Sequence, residues 1–145
     1  MNAVFANTVA PEQVVCALRG AGELRVWLDD DLVDRRAPDG WVHVTTVAQA
    51  VALLNEGRVV ELSLDNDLSD DDRYGQGKEV VDFLCEQQYA HGRDLWPRDG
   101  LTIHTANSQA RDTMTRAIER YAGQTRPLRR TITPGGKRRF LFGGR

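Results

Sequence analysis

The run Val59-Val60-Glu61-Leu62-Ser63-Leu64-Asp65-Asn66-Asp67-Leu68-Ser69-Asp70-Asp71-Asp72 decides how the chain folds. Its first half alternates and is rich in Val and Leu, the pattern of a buried strand. The strand then stops in carboxylates, Asp65 and Asp67 first. An open α/β sheet takes its ligand at the C-terminal ends of its strands, so this acidic edge is where a site is expected. Asp70, Asp71 and Asp72 read as a solvated extension.

Working outward, two more strands end in the same way. Leu24 to Leu28 runs into Asp29, Asp30 and Asp31, and Leu101 to Thr105 runs into His104-Thr105-Ala106-Asn107. A strand over Trp41 to Thr46 precedes a helix over Val47 to Asn55, closed by Gly57. Helices are also predicted over 11–19, where Pro11 suits a first turn, over Lys78 to Tyr89, and over Ser108 to Tyr121. Leu128 to Thr133 and Lys137 to Phe142 read as further strands around the turn Pro134-Gly135-Gly136. Strand and helix alternate, which predicts a mostly parallel sheet of about five strands with helices on its faces. Only Asp29 to Gly40 separates the first two strands, a short span for a parallel crossover, so either that link is irregular or the second strand pairs differently.

With 145 residues, 41% apolar and 28% charged, the chain reads as a single domain able to bury its own core. Two cysteines, each in an apolar helical pattern, exclude a disulfide framework or zinc cluster and fit a reducing cytoplasm. No basic leader and no run near about 18 apolar residues is present, so neither a signal peptide nor a membrane span is expected. The net charge of −2 hides an asymmetry: Asp29 to Asp34 and Asp65 to Asp72 are acidic. No acid follows Glu119, whereas Arg120, Arg126, Arg129, Arg130, Lys137, Arg138, Arg139 and Arg145 do. These are either solvated faces or a metal-binding edge with cations placed to meet a phosphate.

In a parallel sheet the three acidic or His-bearing strand ends share one edge. Clustered carboxylates repel unless a cation or a proton intervenes. Oxygen ligands of this kind suit Mg²⁺ or Mn²⁺, and His104 beside them fits a general acid or base, or a ligand. Other readings fail on spacing. As a calcium loop from Asp65, the sixth position is Asp70 instead of Gly and the twelfth Gln76 instead of Glu. Ser63 has no triad around it in the sequence. His43 reads as a partly exposed strand residue and His91 as a helix end. Trp27 and Trp41 read as core-edge aromatics, Trp41 also as a surface on which a base stacks.

The strings Trp27-Leu28-Asp29-Asp30, Gly40-Trp41, Ser63-Leu64-Asp65-Asn66-Asp67-Leu68 and Ile103-His104-Thr105-Ala106-Asn107, with Met114 after them, resemble the cyclic-phosphate-processing receiver family, a divergent relative of response-regulator receivers. Its pattern reads LDD, GW, SLDHDLG and HSAN, then Met. The resemblance spans Leu24 to Tyr121 and departs at Asn66, where the family has His, and at Ser69, where it has Gly. It implies one receiver-like, flavodoxin-like three-layer sandwich over 1–145, with a motif-bearing core over 24–121 and a basic C-terminal segment over 122–145. It also implies hydrolysis of a cyclic phosphate on a nucleotide, an ADP-ribose derivative or an RNA end, in RNA repair or defence. Asp29, Asp30 and Asp65 are expected to hold the metal and Asp67 to orient water or a second metal. His104 is expected to protonate the leaving oxygen, and Asn107, Thr105, Lys137 and Trp41 to contact substrate or phosphate. The alternative is a receiver or pseudo-receiver signalling module in which Asp65 accepts phosphate. Such a module needs a Lys ending its last strand, and Lys137 sits among Gly and Arg instead.

Overall fold

The predicted buried strand Val59–Leu64 (β4) lies mid-sheet, and every residue of it except Glu61 is buried. The structure, a computed structural model, describes residues 2–69 and 72–143. Asp70 and Asp71 of the expected acidic extension, and Arg145 of the basic tail, lie outside the described residues. Around β4 stand β1 (Ala3–Phe5), β2 (Leu24–Leu28), β3 (Val42–Val44), β5 (Leu101–Ile103), β6 (Leu128–Ile132) and β7 (Arg138–Phe142). Their order in the sheet is β1-β3-β2-β4-β5-β7-β6. The first five run parallel, and β7 pairs antiparallel with both β5 and β6.

Among the described residues the sheet has seven strands, more than the five or so expected. The sequence gives little warning of β1, three residues long, and the basic segment forms a β6–β7 hairpin at the opposite edge. The short link between β2 and β3 resolves in favour of an irregular crossover, because the two strands are parallel neighbours and no helix separates them.

Helices α1 (Pro11–Ala17), α2 (Val47–Asn55), α3 (Lys78–His91) and α4 (Ser108–Thr125) pack in chain order, α1 on α2, α2 on α3 and α3 on α4. Among the described residues no helix is long and apolar enough to cross a membrane. Helix α2 begins where Thr46 accepts a hydrogen bond from the Gln49 amide, and Gln49 answers through its side chain on the Thr45 and Thr46 amides. This reciprocal cap fixes the entry to the helix. Gly57, with φ of +77°, ends it. Helix α4 runs past Tyr121 because buried Ala122 continues the stripe of Ala110, Met114 and Ile118.

One sheet face carries Leu24, Val26, Leu28, Leu62 and Leu64 into the core, all buried. Each such side chain contributes about 2 kcal/mol on leaving water. By strand alternation the other face of β2 and β4 carries Arg25, Trp27, Glu61 and Ser63. The crossover loop between β2 and β3 folds over that second face, and Trp27 Nε1 donates to the Arg35 carbonyl at 3.0 Å. Hence His43, expected to be partly exposed, is only 1% exposed. Its Nε2 lies 2.8 Å from the Asp29 carbonyl, and burial pulls its pKa down.

Candidate active site

Register builds the site. Leu28 pairs with Leu64, and Leu64 with Ile103, so the next residue of each strand falls in one row. The final ladder bonds hold that row. Asp29 N donates to Val44 O at 3.1 Å, Asp65 N to Leu28 O at 3.0 Å, and His104 N to Leu64 O at 2.9 Å. Asp29, Asp65 and His104 therefore arrive together at the C-terminal edge, buried in spite of their polarity.

Asp29, Asp30 and Asp65 each offer an oxygen, all within 4.8 Å of one another. Like charges this close in partly desolvated surroundings oppose ionisation. Asp65 is pushed above the ordinary carboxylate range by burial first and by Asp29 second, against the pull of His104, Arg35 and the Thr105 hydroxyl. Asp30 is raised too, by its partial burial and then by Asp29. Asp65 Oδ1 accepts from the Asn66 amide at 2.8 Å, while buried Oδ2 has no hydrogen-bond donor. Hard oxygen donors with a buried unsatisfied atom among them fit a divalent cation.

A residue absent from the sequence-based expectation sits over the cluster. Arg35, on the crossover loop, places Nη2 3.3 Å from Asp29 Oδ1, 3.5 Å from Asp30 Oδ1 and 3.6 Å from Asp65 Oδ2. No periodicity marks a loop arginine, so the sequence carried no signal for it.

His104 is held on both ring nitrogens. Nδ1 lies 2.8 Å from Ser63 Oγ and Nε2 lies 3.0 Å from Asp29 Oδ2. Trp27 stacks on it, with ring centroids 4.1 Å apart and planes 10° apart. Ser63, His104 and Asp29 thus form a hydrogen-bonded chain, although the sequence offered no triad. Ser63 is 1% exposed on a central strand, so it is no accessible nucleophile. The chain orients Asp29.

Asn66 and Asn107 hold Asp67 from two sides, with Nδ2 to Asp67 Oδ1 distances of 3.1 and 3.3 Å. Asn66 Oδ1 also accepts from the Lys78 amide, which ties the acidic loop to the start of α3. Asn107 Oδ1 caps α4 through the Ala110 amide at 3.0 Å, and Thr105 Oγ1 accepts from the Asn107 amide at 3.1 Å. Gly77 closes the loop, because a Cβ there would overlap the Asp65 carbonyl. Asp67 itself is exposed and outside the three-carboxylate group. It lines a cavity of about 500 Å³ with Asp30, Arg35, Leu68, Ser69 and Gln76.

Of the remaining expected residues, Trp41 packs edge-on against Trp27 at 6.1 Å. Lys137 lies in the β6–β7 turn, on the same sheet edge because Arg138 pairs with Ile103. Its Nζ is 5.4 Å from the Trp27 ring centroid. The row thus gathers the carboxylates, His104 and Thr105, with Asp67 and Asn107 beside them and Trp41 and Lys137 around Trp27.

The model of a family described as the cyclic-phosphate processing receiver domain matches residues 24–120, well over half of the chain. No curated protein and no solved structure matches.

Proposed function

The chain belongs to the cyclic-phosphate processing receiver family, and from that membership we propose that it is a metal-dependent phosphoesterase opening a cyclic phosphate by hydrolysis. Its substrate class is a small phosphate ester: a cyclic nucleotide, an ADP-ribose derivative or an RNA end. The observation that carries the reading is the convergence of Asp29, Asp30 and Asp65 around a buried carboxylate oxygen that lacks a donor.

In this reading Asp29, Asp30 and Asp65 hold Mg²⁺ or Mn²⁺. When bound, the ion polarises the phosphoryl oxygen and lowers the pKa of a water. Asp67, exposed and steadied by Asn66 and Asn107, takes the proton of the attacking water. As the water oxygen bonds to phosphorus, the ring P–O bond breaks, and its oxygen leaves with the electron pair and takes up a proton from solvent water unless it lies beside His104. His104, first expected as the direct proton donor, serves Asp29 in this geometry. Its Nε2 proton reaches the leaving oxygen only where that oxygen comes to lie beside Asp29. Lys137 adds positive charge at the same edge, and Trp41 offers an aromatic surface at the loop mouth. Asn66, in place of the family's His, supplies an amide that fixes Asp67 and no proton at neutral pH.

The test is a panel of cyclic phosphodiesters assayed with Mg²⁺, with Mn²⁺ and with a chelator. Metal-dependent turnover that disappears in Asp65→Ala is the expected result. Absence of turnover with either ion, together with a stable phosphoryl adduct on Asp65 after acetyl phosphate treatment, would replace this reading with the signalling one.

A further inference from the structure

We propose that Arg35 is a phosphate-binding residue of this site, resting on the carboxylates until a divalent cation displaces it. The inference rests on the metal-dependent reading above and assigns a residue that reading does not use.

The first argument is geometric. Charge-assisted N–H to carboxylate contacts close to about 2.7–2.9 Å when they settle. Elsewhere in this molecule Arg98 Nη1 reaches Glu23 Oε2 at 2.7 Å. Arg35 instead spreads over four carboxylates at 3.3, 3.5, 3.6 and 3.8 Å, the last from Nε to Asp31. It makes a short contact with none of them and leaves Asp65 Oδ2 without a hydrogen bond. The guanidinium is a loose occupant of a position shaped by oxygens. A divalent ion bound by those oxygens would compete with the guanidinium for them.

The second argument is charge. Asp29, Asp30, Asp31 and Asp65 with Arg35 sum to −3 when ionised, a field that repels a phosphate anion. A bound divalent cation would bring that sum to −1 and free the guanidinium. Only the side chain has to move, since the Arg35 carbonyl is anchored to Trp27 Nε1. That side chain is 46% exposed and already lines the 500 Å³ cavity beside Asp67. A planar fork with paired donors matches two phosphate oxygens. Metal and phosphate binding are thereby linked: the ion both offsets most of the pocket's negative charge and releases the residue that grips the anion.

Calorimetric titrations of Mn²⁺, and then of inorganic phosphate with and without Mn²⁺, test this on the full chain. Arg35→Gln is expected to bind Mn²⁺ about tenfold more tightly than wild type, within the usual span of such couplings. Wild type is expected to bind phosphate only when loaded with Mn²⁺. The loaded Arg35→Gln protein is expected to lose about tenfold in phosphate affinity, and Arg35→Lys to recover part of it. Equal Mn²⁺ affinity in wild type and Arg35→Gln overturns the displacement while leaving the metal reading intact. Unchanged phosphate affinity in loaded Arg35→Gln overturns the binding role. If neither protein takes up Mn²⁺, the metal reading itself falls and this inference with it.

Discussion

Two arginine–carboxylate networks lie along β2 and β4, and they do opposite work. Toward the N-terminal end, Arg25, Arg98 and Arg139 meet Glu23, Glu61 and Asp99, three cations against three anions, at 2.7 to 3.4 Å. At the C-terminal end one cation, Arg35, faces Asp29, Asp30, Asp31 and Asp65 at 3.3 to 3.8 Å. By strand alternation only Trp27 separates Arg25 from Asp29, and only Ser63 separates Glu61 from Asp65. The balanced network pairs each charge with an opposite one, although Arg139 Nε stays buried without a hydrogen bond, and Arg98, open to solvent, is held even more firmly protonated by Glu23. The unbalanced one centres on buried Asp29 and Asp65, with Asp30, Asp31 and Arg35 part-exposed around them, and its Asp65 and Asp30 resist ionisation. Charge excess and burial together, rather than acidic residues as such, separate a site from a scaffold.

The contrast breaks most visibly at His104. His104→Ala leaves Ser63 Oγ and Asp29 Oδ2 unpaired in the interior and removes the ring under Trp27. A loss of about 3–4 kcal/mol in urea unfolding with chelator present is expected, from a cavity plus unsatisfied buried groups. A loss under about 1 kcal/mol would place His104 with the balanced network. Gly77→Ala comes next. Its φ of −56° is ordinary, so backbone strain is not the issue, although Ala is a poorer helix cap than Gly. Overlap with the Asp65 carbonyl decides the sign, and about 2 kcal/mol of destabilisation with weakened Mn²⁺ binding is expected.

Asp65→Asn sharpens the contrast in the other direction. It removes a buried like charge, so metal-free stability at pH 7 is expected to rise by about 1 kcal/mol while Mn²⁺ binding disappears. The pH dependence identifies the cause. The Asp65 carboxyl is raised above its ordinary 3.8, so the folded state keeps a proton that the unfolded chain has released. Metal-free wild type therefore gains stability as pH falls from neutral through that raised range toward 3.8, and Asp65→Asn gains less. Parallel slopes for the two proteins between pH 7 and pH 4 would remove Asp65 as the cause.

What the sequence disclosed follows the same division. Strands β2 and β4 and helix α2 were legible to the residue, because apolar runs, the cap position and Gly57 are all local signals. Asp29, Asp30, Asp65 and His104 were legible as strand ends, and a parallel sheet brings strand ends together. Arg35, the burial of His43 and the bonding of Ser63 to His104 were not. Each depends on how a loop without periodicity folds over a sheet face, or on which residues meet across strands. The edge strand β1 failed for a simpler reason, since three residues carry too little pattern.

The smallest expected effect lies in the balanced network, and it completes the comparison. Glu61 accepts from Arg25 Nε at 3.1 Å and pairs with Arg139 Nη2 at 3.3 Å. Glu61→Gln removes one charge but keeps an oxygen for Arg25, which is exposed enough to turn toward water, while Arg139 Nη2 keeps its bond to the Asp99 carbonyl. The expected change in unfolding free energy is below about 1 kcal/mol and shrinks further in about 1 M salt, where screening reaches only about 3 Å. Mn²⁺ affinity should stay at the wild-type value. A loss above about 2 kcal/mol that persists in high salt would show that this network is also effectively buried. Charge balance alone would then distinguish the two ends of these strands.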